Sequence, residues 1–390
     1  MNILFCTTSQ VSEQKGGTER ITARISNDLR ERGHKCFSAY KSPISKDFPL
    51  TEFNGTINAR NESLRDFILM NQINVIVVQK MTRDVVKIRK VIKEHQINCK
   101  IISVLHFNPG YEEFKITWKN ALCSLKDPNS IPEILKGLIR FGLFPFYKFF
   151  YPLRNRDLYR TVYNYSDKVV LLSNRFVNEY RDYAKIKDEV KFETIPNALS
   201  FDYYFDTEKL DNKKKQVLIV SRLDEIQKRI SLSIRIWAAI EKISELSDWQ
   251  LRIVGHGDAE PDYKKLVKDL GLKRISFEGR QDPLSYYQES SIFMMTSAYE
   301  GWGLTLTEAQ QMGCVPIAFD SYSSVFDIID NGKNGFIIEN NNLEKYIYKM
   351  KILMSNKKQR NEMALQAILS SKRFELPHII DFWENLICKL

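Results

Sequence analysis

The run Val75-Ile76-Val77-Val78 is apolar on both faces that a strand presents. A strand covered by helices on both sides reads this way, whereas a strand with one wet face alternates polar and apolar positions. Runs of this kind at Asn2–Cys6, Asn74–Val78, Lys100–Val104 and Lys168–Leu172 alternate with amphipathic segments at Gly17–Arg32 and Arg83–His95. This predicts a doubly wound parallel α/β sheet. A second series follows at Gln216–Val220, Gln250–Val254, Arg274–Phe277, Ile292–Met295, Val315–Phe319 and Gly335–Ile338, with helical patterns at Ser231–Lys242, Asp262–Leu270 and Gly303–Met312. The fold is therefore read as two Rossmann-like domains.

At 390 residues the chain is long enough for two domains, each with its own core. The hydrophilic stretch Asp206–Lys215 has no apolar periodicity and marks the expected boundary, giving a first domain of residues 1–205 and a second of residues 206–376. Three helical patterns, Leu343–Met354, Lys357–Ser371 and Pro377–Leu390, end the chain. The last of them is expected to pack back on the first domain. Ligands of such domains sit outside the carboxyl ends of the strands, so the chemistry is sought in those loops.

The chain carries 58 Lys and Arg against 48 Asp and Glu, a formal charge of +10, which favours an anionic partner. Six cysteines without a C-x-x-C pair read as reduced thiols rather than a zinc site or a disulfide framework. The first residues, Met1–Cys6, lack a basic region and a long apolar run. No segment approaches the roughly eighteen apolar residues of a spanning helix. A cytoplasmic location is expected, at the inner face of the cytoplasmic membrane if the chain is peripheral.

Ser297 to Gly313 carries two carboxylates, Glu300 and Glu308, eight positions apart. Glu300 falls in the loop after the predicted strand Ile292–Met295. Glu308 falls inside the following helix, whose first N–H groups, at Gly303, Leu304 and Thr305, offer unpaired donors to an anion. Taken alone, the pair reads better as a first-turn capping carboxylate and an ordinary solvated helix residue. Arg222 and Lys228, six residues apart after the strand Gln216–Val220, offer a planar fork and a point charge to phosphate. Their alternative is a surface basic pair.

The Ser297–Gly313 stretch resembles the E-x7-E signature of retaining family 4 glycosyltransferases, which have the two-Rossmann GT-B architecture with domains facing across a cleft. Ser221-Arg222-Leu223 with Lys228-Arg229, Leu251 to Gly257, Ile275 to Arg280 and Pro316 to Phe319 follow in that family's order. The resemblance is specific from about Val217 to Ile338. It implies transfer of a hexose or N-acetylhexosamine from a nucleoside diphosphate sugar, UDP favoured, to a glycan acceptor in surface polysaccharide or capsule biosynthesis. It further implies that Glu308 bonds the ribose hydroxyls, Glu300 the donor sugar, Arg222 and Lys228 the diphosphate, and that the main chain at Arg280 meets the base. The breaking bond puts charge on the diphosphate, which such cations stabilise.

In the first domain, Lys15-Gly16-Gly17-Thr18 matches the family's first loop, where Gly16 and Gly17 allow close backbone approach. His106 matches a family histidine lining the sugar pocket, with contact to a sugar hydroxyl as its expected role. Pro196-Asn197-Ala198 departs from the family's P-N-G by an alanine. No D-x-D pair is present, so no metal and no resident cofactor are expected. Gly255-His256-Gly257 reads as a tight turn rather than a metal or dinucleotide loop.

Ile134–Arg160 interleaves aromatic residues with basic ones, among them Arg140, Phe144, Lys148 and Phe149. This composition fits an anionic membrane surface beside a polyprenyl-diphosphate-linked acceptor, and equally a pair of packed helices. Nucleic acid is not expected as a partner. Two other readings stand beside the transferase: a nucleotide-sugar epimerase of the same fold, and a non-enzymatic membrane or nucleic-acid binder.

Overall fold

The computed structural model describes residues 1–14, 16–43, 48–117 and 142–390. These divide into two compact units, Met1–Pro196 with Ile379–Leu390, and Asn197–His378. Lys15 and Arg140, both named above, lie outside the described residues.

The first unit is a seven-stranded sheet: β1 (Asn2–Cys6), β2 (Lys35–Tyr40), β3 (Gly55–Asn58), β4 (Val75–Val78), β5 (Lys100–Leu105), β6 (Lys168–Leu171) and β7 (Phe192–Thr194). Its order is β3-β2-β1-β4-β5-β6-β7, and every pairing is parallel. Ile3 stands opposite Val75 and Ile76 opposite Ile101, so the apolar runs lie side by side at the centre. None of the β4 side chains is more than 2% exposed, as continuous apolar strands require. Among the described residues up to Pro196, its helices are α1 (Gly17–Glu31), α2 (Leu64–Met70), α3 (Asp84–Glu94), α4 (Phe144–Tyr165) and α5 (Arg175–Ala184).

The second unit is a six-stranded parallel sheet of β8 (Lys214–Val220), β9 (Gln250–Val254), β10 (Ile275–Gly279), β11 (Ser290–Met295), β12 (Val315–Phe319) and β13 (Phe336–Ile338), in the order β10-β9-β8-β11-β12-β13. Its helices are α6 (Ile230–Ile240), α7 (Glu260–Asp269), α8 (Leu284–Glu289), α9 (Leu304–Gln311), α10 (Val325–Ile328), α11 (Leu343–Ser355) and α12 (Lys357–Ser371). Trp237, Trp249, Tyr263 and Tyr346 fill the core between strands and helices.

The second unit begins upstream of the hydrophilic stretch, which is no linker. Thr207–Asn212 forms a 3-10 turn and Lys214 opens β8. Lys213 is half-buried, and its Nζ donates to the carbonyls of Tyr287 (2.9 Å), Gln288 (3.1 Å) and Ser290 (2.9 Å) at the negative end of α8. Burial holds its pKa below the usual lysine range. Composition cannot reveal a lysine spent on capping a distant helix.

The last helix, α13 (Leu376–Cys388), belongs to the first unit from Ile379 onward. Arg32 Nη1 meets Asp381 at 2.7 Å and Glu384 at 2.8 Å, and His34 Nε2 lies 3.0 Å from Glu384. The Arg32 hydrogen bond, seconded by His34, holds the Glu384 carboxyl below its ordinary range. Among the described residues no helix is long and apolar enough to cross a membrane.

Candidate functional site

The strand order of the second sheet reverses between β8 and β11, so the loops leaving these strands splay apart and open a crevice. Ser221 and Arg222 leave β8, and Thr296 to Glu300 leave β11. The β8 loop is set by its contact with the β9 loop. Ser221 N donates to Val254 O at 3.0 Å and Leu223 N to His256 O at 2.9 Å. A Cβ on Gly255 would stand 1.8 Å from Ser221 O, and one on Gly257 2.4 Å from Leu223 O. The two glycines therefore exist for backbone apposition, which agrees with the tight-turn reading of Gly255-His256-Gly257.

Four side chains from these loops form one network. Arg222 Nη2 donates to Gln227 Oε1 at 3.0 Å, and Gln227 Nε2 donates to Glu300 Oε2 at 3.3 Å. Lys228 Nζ donates to Glu300 Oε1 at 2.6 Å. The Lys228 and Glu300 side chains are 15% and 9% exposed, whereas that of Arg222 is 64% exposed, with Asp224 Oδ2 3.5 Å from its Nη2. Arg229, next in sequence, donates to the carbonyls of Thr296 (2.8 Å) and Ser297 (2.9 Å), pinning the loop that carries Glu300. Gln227 is the bridge of this cluster, and no sequence motif pointed to it.

Helix α9 starts after Gly303, whose φ of 89° is left-handed and suits glycine. No side chain caps this helix and its first turn has no acidic residue, so Gly303, Leu304 and Thr305 present N–H groups without intrahelical partners at the positive end. Glu300 precedes the helix, and its carboxylate faces Lys228 and Gln227 rather than serving as a cap. Glu308 is 2% exposed, which removes the solvated reading. Its Oε1 accepts from Ser200 Oγ at 2.6 Å and its Oε2 from Tyr287 Oη at 2.8 Å. Ser200 and Tyr287 were not legible in advance, since nothing local marks a residue that meets a glutamate so distant in sequence.

Arg280 is exposed immediately past β10, which extends to Gly279 rather than ending at Phe277. Asn197 is 7% exposed, beside the buried Ala198.

In the first unit Gly16 is the extended residue preceding α1, with φ −148°, and a Cβ there would meet Glu19 Oε2 at 3.1 Å. Gly17 is the first residue of α1. His106 follows β5, and its Nε2 lies 2.5 Å from Gln79 Oε1. Burial pushes its pKa down to about 4, so the neutral ring donates to the amide oxygen at neutral pH. Phe144 is 4% exposed and sits inside the fold, so it leaves the set of surface aromatics expected at its position. Phe149 is 68% exposed and Lys148 is exposed beside it.

Residues 201–369 match the family model described as glycosyl transferases group 1. An uncharacterized glycosyltransferase of Haemophilus influenzae is 25% identical over 382 residues, covering 95% of this chain and 96% of that protein. The GalNAc-alpha-(1->4)-GalNAc-alpha-(1->3)-diNAcBac-PP-undecaprenol alpha-1,4-N-acetyl-D-galactosaminyltransferase of Campylobacter jejuni is 25% identical over 240 residues, 60% of this chain and 64% of that one. The structure of HepE from Anabaena in complex with UDP-glucose superposes with a TM-score of 0.72 at 15% identity, over 100% of both chains. The parallel order of both sheets, the group 1 match and these relatives make the chain a glycosyltransferase with the GT-B fold.

Proposed function

We propose that the chain is a retaining, metal-independent transferase of the family 4 kind, which moves a hexose or N-acetylhexosamine from a UDP-sugar to a glycan acceptor in surface polysaccharide or capsule synthesis. The observation that carries this reading is the Arg222–Gln227–Glu300–Lys228 network at the switch point of the second sheet. In this reading Arg222 and Lys228 hold the diphosphate, together with the open N–H groups of α9, and stabilise the charge that grows as the sugar–phosphate bond breaks. Two side-chain cations and a helix end do the work that a divalent ion does elsewhere. The leaving diphosphate takes the acceptor's proton, and the sugar keeps its anomeric configuration. Glu300 accepts from donor-sugar hydroxyls, Glu308 from the ribose, and the main chain at Arg280 meets the base. Within the first unit, Gly16 and Gly17 leave room for a phosphate or sugar at the start of α1, and His106 contacts a sugar hydroxyl.

The acceptor in this reading is linked to a polyprenyl diphosphate, a choice supported by the undecaprenol-linked substrate in the name of the Campylobacter relative. Peripheral attachment to the inner face of the cytoplasmic membrane is supported by the exposed rings of Phe146, Phe149 and Phe150 beside Lys148. The test is UDP release from a panel of UDP-hexoses and UDP-N-acetylhexosamines with lipid-linked oligosaccharides and EDTA present, with the product anomer read by NMR. Release that survives EDTA and gives the donor's own anomeric configuration is expected. An inverted anomer, or activity abolished by EDTA, contradicts the proposal.

A further inference from the structure

The first unit has a switch point of its own, between β1 and β4, and the residues leaving those strands line a cavity of about 1100 Å³. Gln79, the first residue after β4, is 4% exposed and forms part of its wall. His106 occupies the amide oxygen, and Gln79 Nε2 has no hydrogen-bond partner among the described residues. Buried donors are almost always taken by something, and no described residue supplies this one with an acceptor.

The charges around the cavity point to what that acceptor is. Lys41 is paired with Asp84 at 2.5 Å, Arg65 with Asp66 at 2.7 Å and Arg83 with Asp157 at 2.6 Å. The lining carboxylates Glu19, Glu62 and Glu112 accept from Ser9 Oγ, Asn58 N and Tyr159 Oη, and so are held by the chain. That leaves Lys80 after β4, Lys87 on α3 and Arg154 on α4, all lining the cavity and none in an ion pair with a described residue. Thr82, Arg83 and Asp84 bring the positive end of α3 to the same wall. Three cations from three elements, a helix end and a buried amide donor suit a phosphate ester, whose oxygens accept several bonds at once.

We propose that this cavity binds a phosphate-bearing part of the acceptor, with Lys80, Lys87 and Arg154 on the phosphate oxygens and the Gln79 amide donating to one of them. The inference rests on the glycan-acceptor reading above and adds the group by which the first unit recognises its substrate. The phosphate ester belongs either to a polyprenyl diphosphate or to a water-soluble sugar or polyol phosphate.

Calorimetric titration with inorganic pyrophosphate and with farnesyl diphosphate distinguishes these, with UDP held at saturation to occupy Arg222 and Lys228. Both probes are expected to bind the wild type. The triple variant Lys80→Ala/Lys87→Ala/Arg154→Ala loses at least about tenfold in affinity for each. Gln79→Leu loses several-fold, while UDP affinity stays as in the wild type for both and the melting midpoint stays so for the triple variant. Tighter binding of the farnesyl ester supports the lipid source, and equal affinities support the water-soluble one. No binding of either probe, or equal binding by wild type and triple variant, overturns the inference. Failure of UDP to bind would instead overturn the donor reading, and the pyrophosphate titration repeated on Arg222→Ala still decides the cavity.

Discussion

Lys228 and Glu300 form a nearly buried ammonium–carboxylate pair at 2.6 Å, and such a pair is far more costly to halve than to remove whole. Lys228→Met is therefore expected to destabilise the chain by about 3–5 kcal/mol, because Glu300 keeps its charge without its cation. Lys228→Met/Glu300→Leu should recover most of that loss in urea titrations while leaving UDP binding and turnover abolished. A double variant no more stable than the single one would contradict the pairing. His106 gives a prediction in pH. Its folded pKa is depressed from 6.5 to about 4, so between these values the unfolded chain binds a proton that the folded chain refuses. Stability must then fall as pH drops from 6.5 toward 4, and denaturation midpoints of His106→Gln should fall less steeply over that window. Identical slopes would contradict the burial of a neutral ring. At this scale the positions of Arg222 and Lys228 were legible in sequence, because they follow the apolar run that becomes β8. Gln227, Tyr287, Ser200 and Gln79 were not, since each acts by meeting a side chain that only the folded sheet brings near.

The element that shapes the candidate site is the pair of loops leaving β8 and β9, whose backbones touch at Gly255 and Gly257. Gly257→Ala places a methyl 2.4 Å from Leu223 O, and the loop bearing Arg222 must shift to admit it. UDP affinity is expected to fall at least tenfold. Gly271→Ala is the control: its φ of +67° imposes a strain of about 1–2 kcal/mol, but nothing lies within 4 Å and UDP binding should be unaffected. Equal UDP affinity in Gly257→Ala and wild type would detach this loop from the site. Strands such as β4 and β5 were readable because a continuous apolar run has one explanation in a doubly wound sheet, whereas β2, with Cys36, Phe37, Ser38 and Ala39 all buried, escaped because its run is short and broken by a serine. The edge strand β3 (Gly-Thr-Ile-Asn) and the six-residue α8 were not, as one buried residue or two turns carry too little periodicity. Lys213 shows the converse error, where a run of charge concealed a helix cap.

Across the whole molecule, charge and surface pattern are the features that act together. The net charge of +10 and the exposed Phe146, Phe149 and Phe150 beside Lys148 predict binding to anionic vesicles that weakens with salt. Phe149→Asp/Phe150→Asp should lower flotation with phosphatidylglycerol vesicles by at least about tenfold per ring, given about 1.5–3 kcal/mol for each buried phenyl side chain, and leave UDP binding intact. Unchanged flotation would assign these rings to another surface role. The division into two α/β units was legible at this scale from the repeat of strand and helix patterns, while their border was displaced by the polar look of Asp206–Lys215. The central claim is a nucleoside diphosphate site built on Arg222, Lys228 and Glu300, and ligand linkage tests it most directly. With EDTA present, UDP at a hundred times its Kd should add about 2.7 kcal/mol and raise the melting midpoint by several degrees, with little effect from ADP or GDP and none of the rise in Arg222→Ala. A wild-type midpoint that no nucleoside diphosphate moves would contradict the account.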